Sequence, residues 1–341
     1  MPKFLIVAPS WVGDTVIAQP LFMRLLKRNP GSTIDVFAPR WVAPVLSRMP
    51  EVHEVIDNPF GHGELRLTDR WRAGRNLKQR QYDCAIVLPN SLKSALVPFF
   101  AGIPKRIGFV GEARYGLLND ARKLDEITLP LMVERYALLA EPRDAPLERP
   151  LEKPRLRVDQ ASLQATLKRL GLNTDKPIIA FCPGAEYGPA KRWPSEHFAT
   201  LAKTYRENGY QIWLLGSPKD QPVGAEINQL SGNNCLDLTG RTGLADVIDL
   251  MSCAKFVVSN DSGLMHIAAA LDKPMAALFG SSSPRHTPPL SDKAKVIYLR
   301  LDCSPCFQRE CPLGHFNCLR QLKPELVRSQ LEGGTESANA S

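Results

Sequence analysis

Seven short strand-like runs punctuate the chain, at 3–8, 33–38, 83–88, 177–182, 211–216, 254–259 and 274–279, and several are apolar without alternation. A strand solvated on one face alternates apolar with polar residues; a strand covered on both faces has no need to. Between the runs lie helical patterns such as 16–28, 196–208 and 262–271. Strands and helices in regular succession predict βα units, and therefore doubly wound parallel sheets of the α/β class.

The series is interrupted once. Between 141 and 157, Pro142, Pro146, Pro150 and Pro154 are mixed with charged residues, and proline at this density favours extended linker over helix. The expected organisation is a Rossmann-like domain over 1–155 and a second over 156–330. Two such domains facing across a cleft would form a ligand site, because open α/β sheets bind at the carboxyl ends of their strands. At 341 residues, each half is long enough to bury its own core. Residues 331–341, ending small and polar, are expected to be a disordered tail.

Charge narrows the partners. The formal net charge is +8, which suits nucleic acid, an anionic membrane surface or a phosphorylated substrate. With no basic tail and no basic run interleaved with aromatics, nucleic acid is the weakest of these. No stretch approaches the roughly 18 apolar residues of a membrane span, and the apolar run after Lys3 has strand length rather than signal-peptide length. A cytoplasmic protein is expected. Cys84, Cys182, Cys235 and Cys253 sit singly in or beside apolar runs, where cysteine acts as a small hydrophobe.

Three strand-to-helix loops carry candidate chemistry. Pro9-Ser-Trp-Val-Gly-Asp14 follows the first strand, and Asp14 is either the N-cap of a helix 15–28 or a general base for an attacking hydroxyl. The spacing is not G-x-G-x-x-G, so a dinucleotide fingerprint is absent. The loop from Phe181 to Pro194 contains Lys191 and Arg192, which could neutralise a diphosphate or simply face solvent. Ser259-Asn-Asp-Ser-Gly-Leu-Met-His266 runs from strand into helix, where free N–H groups favour an anion. There Asp261 suits sugar hydroxyls or a cap, and His266 could face core or cleft. No D-x-D pair occurs, which argues against a catalytic metal held by that motif, so cations and helix dipole would balance a departing diphosphate.

Cys303, Cys306, Cys311 and Cys318, with His315 between the last two, crowd into one short stretch. Structural zinc, disulfides and reduced packing thiols are the three readings; a reducing cytoplasm disfavours disulfides.

Together these segments resemble the lipopolysaccharide heptosyltransferases of glycosyltransferase family 9. The resemblance rests on Pro9-Ser-Trp-Val-Gly-Asp14, Leu88-Pro-Asn-Ser91, Lys93-Ser-Ala-Leu96, Pro98-Phe-Phe-Ala-Gly-Ile-Pro104 and Arg114-Tyr-Gly-Leu-Leu-Asn-Asp120. It extends through Cys182-Pro-Gly-Ala-Glu186, Lys191-Arg-Trp-Pro194 and Asn260-Asp-Ser-Gly-Leu-Met-His266. It implies the two-Rossmann GT-B architecture and an inverting transfer of heptose from ADP-heptose to the first heptose of heptosyl-Kdo2-lipid A, with no cofactor required. It further implies that Asp14 is the base and that Lys191 supports the diphosphate. Gly184, Glu186, Arg192, Asp220, Thr242, Asp261, Ser262, Gly263, Leu264 and His266 would bind the donor. From charge, Lys93, Arg106, Arg114 and Arg122 would meet the acceptor's phosphates and carboxylates, and the basic surface would lie peripherally on an anionic inner membrane. The rival readings are transfer to another core position, a nucleotide-sugar epimerase and a noncatalytic sugar-nucleotide binder.

Overall fold

The computed structural model describes residues 1–61 and 63–333. Among the described residues twelve strands form: β1 (Lys3–Val7), β2 (Thr33–Ala38), β3 (Glu54–Asp57), β4 (Cys84–Val87), β5 (Lys105–Phe109), β6 (Asp120–Arg122), β7 (Ile178–Cys182), β8 (Gln211–Leu214), β9 (Cys235–Asp237), β10 (Ala254–Asn260), β11 (Met275–Phe279) and β12 (Ala294–Tyr298). They make two six-stranded sheets, ordered β3-β2-β1-β4-β5-β6 and β12-β11-β10-β7-β8-β9. Neighbours pair in parallel throughout, for example Ile6 with Val36 and Val258 with Phe181. The chain divides into two compact units, Met1–Pro154 and Arg155 onward, with one sheet in each.

Both sheets follow the doubly wound order in which the first and fourth strands lie side by side at the centre. The apolar runs account for the central strands: β4, β7 and β8 are buried at every residue. In the first unit Leu5, Val7, Phe37, Ala85 and Val87 meet in the core. In the second, Phe181, Phe198, Trp193, Leu214 and Val258 do the same. The unanticipated strands are β3, β5, β6, β9 and β12. Four are sheet edges and β5 lies beside one, and all five carry charged or exposed residues, so none shows an unbroken apolar run.

Three expectations are revised. The helix expected over 16–28 is two, Val12–Ile17 and Gln19–Arg28, meeting at Ala18. Pro20, which lacks an N–H, interrupts the hydrogen-bond ladder there. The 141–157 segment is irregular but is not a free linker. Glu141 is buried and paired with Arg24 at 2.7 Å and with Arg28, while Arg24 Nε reaches Glu152 at 2.9 Å. Finally, helix Pro324–Glu332 extends through the first residues of the expected tail, and Leu331 packs in the core; residues 334–341 lie outside those described.

Candidate active site

In the second unit β7 and β10 are neighbours, yet β7 leads on to β8 at one side and β10 to β11 at the other. This is a topological switch point, where the loops leaving the strand ends part and open a crevice. The loop after β7 carries Lys191, and the loop after β10 carries Asp261. Asn260, fully buried, joins them: its Nδ2 donates to Pro183 O at 2.7 Å and its Oδ1 accepts Trp193 N–H at 3.0 Å. One side-chain amide thus holds both ends of the Lys191 loop.

Lys191 Nζ donates to Asp261 Oδ2 at 2.6 Å, and Ser282 Oγ donates to the same oxygen. The ammonium also stands 5.1 Å from the Tyr187 ring centroid, an added attraction for a cation. Asp261 does not cap the helix Gly263–Ala270: Ser262 precedes it in extended backbone, without a side-chain cap. Ser262, Gly263 and Leu264 are half-buried, and His266, one turn in, is buried. Burial pushes the His266 imidazole down to about 4; the Asp261 carboxylate opposes this and Lys191 adds to it. The ring is therefore neutral near pH 7.

Two polar atoms nearby lack a hydrogen-bond partner among the described residues: Arg192 Nε and Ser281 Oγ, both buried. Buried polar groups are normally satisfied, so the unpaired Arg192 Nε, next to Lys191, fits a site that completes its bonding with a ligand.

The remaining expected donor residues lie on the neighbouring loops. A Cβ on Gly184 would come within 2.4 Å of the Asp220 carboxylate, so only glycine lets these two approach. Asp220 is itself engaged, accepting Ser217 N–H and Oγ–H at 2.8 Å each. Glu186 is exposed and paired with Lys219, and the Thr242 hydroxyl donates to Leu238 O at 3.3 Å.

In the first unit the loop after β1 leads into helix Val12–Ile17. The N-cap position is Trp11, and Asp14 lies in the first helical turn, so the N-cap reading of Asp14 falls. Asp14 is half-buried and close to Tyr136, whose phenol is pushed well up by burial and further by the Asp14 charge. A carboxylate at a helix N-terminus is stabilised in its charged form.

The four expected acceptor cations separate. Arg114 is 1% exposed, and its guanidinium is taken by Phe109 O, Pro89 O, Ser91 O, Ser94 Oγ and Asn90 Oδ1. A guanidinium has five N–H donors, and here they hold the Leu88–Ser91 loop from inside. Arg122 is likewise buried on Asp120, Leu138 O and Glu141 O. Neither can be a surface contact. Arg106 is half-buried on Ile103 O and Leu117 O; Lys93 is half-exposed.

Sequence reasoning missed Ser282, Tyr187 and Tyr136. Gly280-Ser-Ser-Ser283 directly after a buried strand was a usable signal for the first, since small polar residues there line a crevice. Nothing local marks Tyr136, which reaches Asp14 only through the fold.

Two doubly wound units, with a lysine and a helix N-terminus at a switch point, match the GT-B architecture of glycosyltransferases. The profile described as "Glycosyltransferase family 9 (heptosyltransferase)" matches residues 70–317, and the chain belongs to that family. It is 48% identical over 338 residues to lipopolysaccharide heptosyltransferase 2 of Escherichia coli K12, covering 96% of this chain and 97% of that one. It is 49% identical to lipooligosaccharide heptosyltransferase 2 of Haemophilus influenzae over 87% of this chain and 88% of the relative. Among solved structures, the E. coli ADP-heptose LPS heptosyltransferase II superposes with a TM-score of 0.89 at 44% identity, covering all of both chains.

Proposed function

We propose that the chain transfers L-glycero-D-manno-heptose from ADP-heptose to the first heptose of the lipopolysaccharide inner core, on heptosyl-Kdo2-lipid A, inverting the anomeric centre and releasing ADP. The observation that carries the reading is the Lys191–Asp261 contact at the switch point, 2.6 Å long and beside a helix N-terminus. Near-full-length identity to lipopolysaccharide heptosyltransferase 2 supports the choice of donor and acceptor.

In this reading an acceptor hydroxyl attacks the anomeric carbon and its proton passes to Asp14. The bond from that carbon to the diphosphate oxygen breaks, and ADP leaves with the electron pair. An ammonium has three donors; one of Lys191's serves Asp261, leaving two for phosphate oxygens. Arg192 and the first amides of helix Gly263–Ala270 add to the stabilisation of the leaving charge. His266, neutral, offers a hydrogen bond and no charge. Asp261, fixed by Lys191 and Ser282, faces sugar hydroxyls. Gly184, Glu186, Asp220 and Thr242 are assigned to the adenosine side.

The chemistry so written uses no catalytic metal, and the four clustered cysteines belong to a structural element. For the acceptor, Lys93 and Arg106 remain the candidate cations. The acceptor is a lipid, and no helix of the described residues is long and apolar enough to cross a membrane. Helix Leu67–Lys78 instead exposes Leu67 and Trp71 among Arg66, Arg72 and Arg75, a composition suited to peripheral contact with an anionic surface at the cytoplasmic side.

The test is direct. Purified protein given ADP-heptose and a mono-heptosylated Kdo-lipid A should release ADP and add one heptose to the acceptor by mass. Asp14→Asn should lower turnover by roughly 10²–10⁴ while ADP still binds. Activity with only GDP- or UDP-sugars would sink the donor assignment, and full turnover in Asp14→Asn would sink the base.

A further inference from the structure

The cysteine cluster lies outside the chemistry above, yet its loop touches the site at several points. Cys303, Cys306, Cys311 and Cys318 line one small cavity of about 20 Å³, together with His315 and Ser281. A volume of that order holds a single water-sized body. Ser281, 1% exposed, has a buried hydroxyl without a partner among the described residues.

Local backbone geometry favours sulfur as an acceptor. After Cys311 the chain turns through Gly314, at φ +68°, and Phe316 N–H donates to Cys311 Sγ at 3.4 Å. The Cys303-x-x-Cys306 turn is likewise followed by a positive-φ residue, Phe307 at +55°. A turn that aims amides at a sulfur supports a thiolate, the form that ligates metal. His315 is a different case. Its Nδ1 accepts Asn317 N–H at 3.0 Å, which leaves the proton of the neutral ring on Nε2. Neither ring nitrogen then has a lone pair to offer, and the donor set is the four sulfurs.

The same loop holds the donor side of the site. Tyr187 Oη donates to Phe307 O at 2.8 Å and Ala190 N to Arg309 O at 3.0 Å. Phe307 N donates to Ser281 O at 2.7 Å, beside Ser282. Gly188 must be glycine: a Cβ there would come within 2.5 Å of Arg309 O. The Tyr187 ring has Arg309 at 5.3 Å and Lys191 at 5.1 Å from its centroid.

We propose that Cys303, Cys306, Cys311 and Cys318 bind one soft divalent metal ion, zinc by the chemistry of four thiolates, and that this clasp fixes the Tyr187–Lys191 loop for the donor. Four sulfurs in tetrahedral array are the common structural zinc set. Among the described residues, the group of three metal-type ligands gathered within 4.8 Å is Asp35, His53 and Glu54, not the cysteines. The four cysteines already line one cavity, and binding the ion requires their side chains to turn so that the sulfurs meet at it. The second half of the proposal rests on Lys191 being a donor-site residue.

The experiment uses the full-length protein purified without chelator. Elemental analysis should give one equivalent of zinc, and both Cys311→Ser and Cys318→Ser should lose it, whereas Cys84→Ser should keep it. Removing the metal from folded protein should weaken ADP binding by tenfold or more, with recovery on adding zinc. Tyr187→Phe, which keeps the metal but cuts one tie to the loop, should weaken ADP severalfold. A folded protein with no metal and all eight thiols titratable overturns the site, as do disulfides among the four cysteines in non-reduced peptides. Unchanged ADP affinity in both metal-free and Tyr187→Phe protein overturns the clasp. Metal content is read without any substrate, so failure of the ADP-heptose assignment is distinguished from failure of the metal site.

Discussion

At the scale of single residues, His266 is where the site's electrostatics reach into stability. Its neighbours Asp261 and Lys191 act in opposite senses, and burial decides the outcome by holding the ring neutral down to about pH 4. In the unfolded chain the imidazole protonates near pH 6.5. Between those values the unfolded state binds more protons, so stability rises with pH and is lost as pH falls from about 6.5 toward 4. The shift corresponds to about 3 kcal/mol. Denaturant titrations at pH 7.5 and 4.5 should show this loss, and His266→Gln should show much less of it. An equal pH dependence in the variant would assign the effect to other groups. Asp14, Lys191 and Asp261 could be picked out in the sequence because loops after buried strands are where such folds place chemistry. The partners Ser282 and Tyr136 come from other segments of the chain, while Tyr187, in the same loop as Lys191, carries no local mark of its role. Arg114 and Arg122 show the reverse error, since an arginine bound to carbonyls inside a loop has the same letter as one facing water.

At the scale of elements, the proline-rich segment that closes the first unit is the main surprise. Proline and charge predict an extended, solvated chain, and the segment forms neither helix nor strand. Its glutamates, however, are drawn onto helix Gln19–Arg28 by Arg24 and Arg28, with the Glu141 side chain 1% and the Arg24 side chain 5% exposed. Breaking a buried pair by removing one charge leaves the other uncompensated, at a cost of about 3–5 kcal/mol. Glu141→Gln should therefore lower the melting temperature by roughly 6–20 °C, using about 2–4 °C per kcal/mol for a unit of this size. A thermal scan showing a change under 2 °C would mean that Arg24 is satisfied by Glu152 and backbone carbonyls alone. The split at Ala18 was legible in Pro20 and is a matter of a missing donor. The unanticipated strands were not legible, because an edge strand is defined by its neighbour rather than by its own residues.

At the scale of the whole molecule, an excess of eight positive charges and an exposed Leu67–Trp71 face fit an enzyme whose acceptor is a lipid. Each basic residue near an anionic surface contributes about 1 kcal/mol, screened by salt. The protein should co-sediment with vesicles containing anionic lipid at 50 mM salt and release at 500 mM, and Trp71→Glu should weaken the low-salt binding. Equal binding to neutral vesicles would count against an electrostatic contact.

The opening pattern of apolar runs determined the α/β class, because strands covered on both faces must be apolar at both. It also located the loops that carry the site, because their order along the chain follows from the order of those strands. The sequence could not decide which charged side chains are spent on the protein itself. Arg114, Arg122 and Glu141 are committed to partners 2 to 117 positions away, and Lys191 meets Asp261 across 70. Such contacts depend on which strands lie side by side at the switch point, and that is settled only when each sheet is assembled.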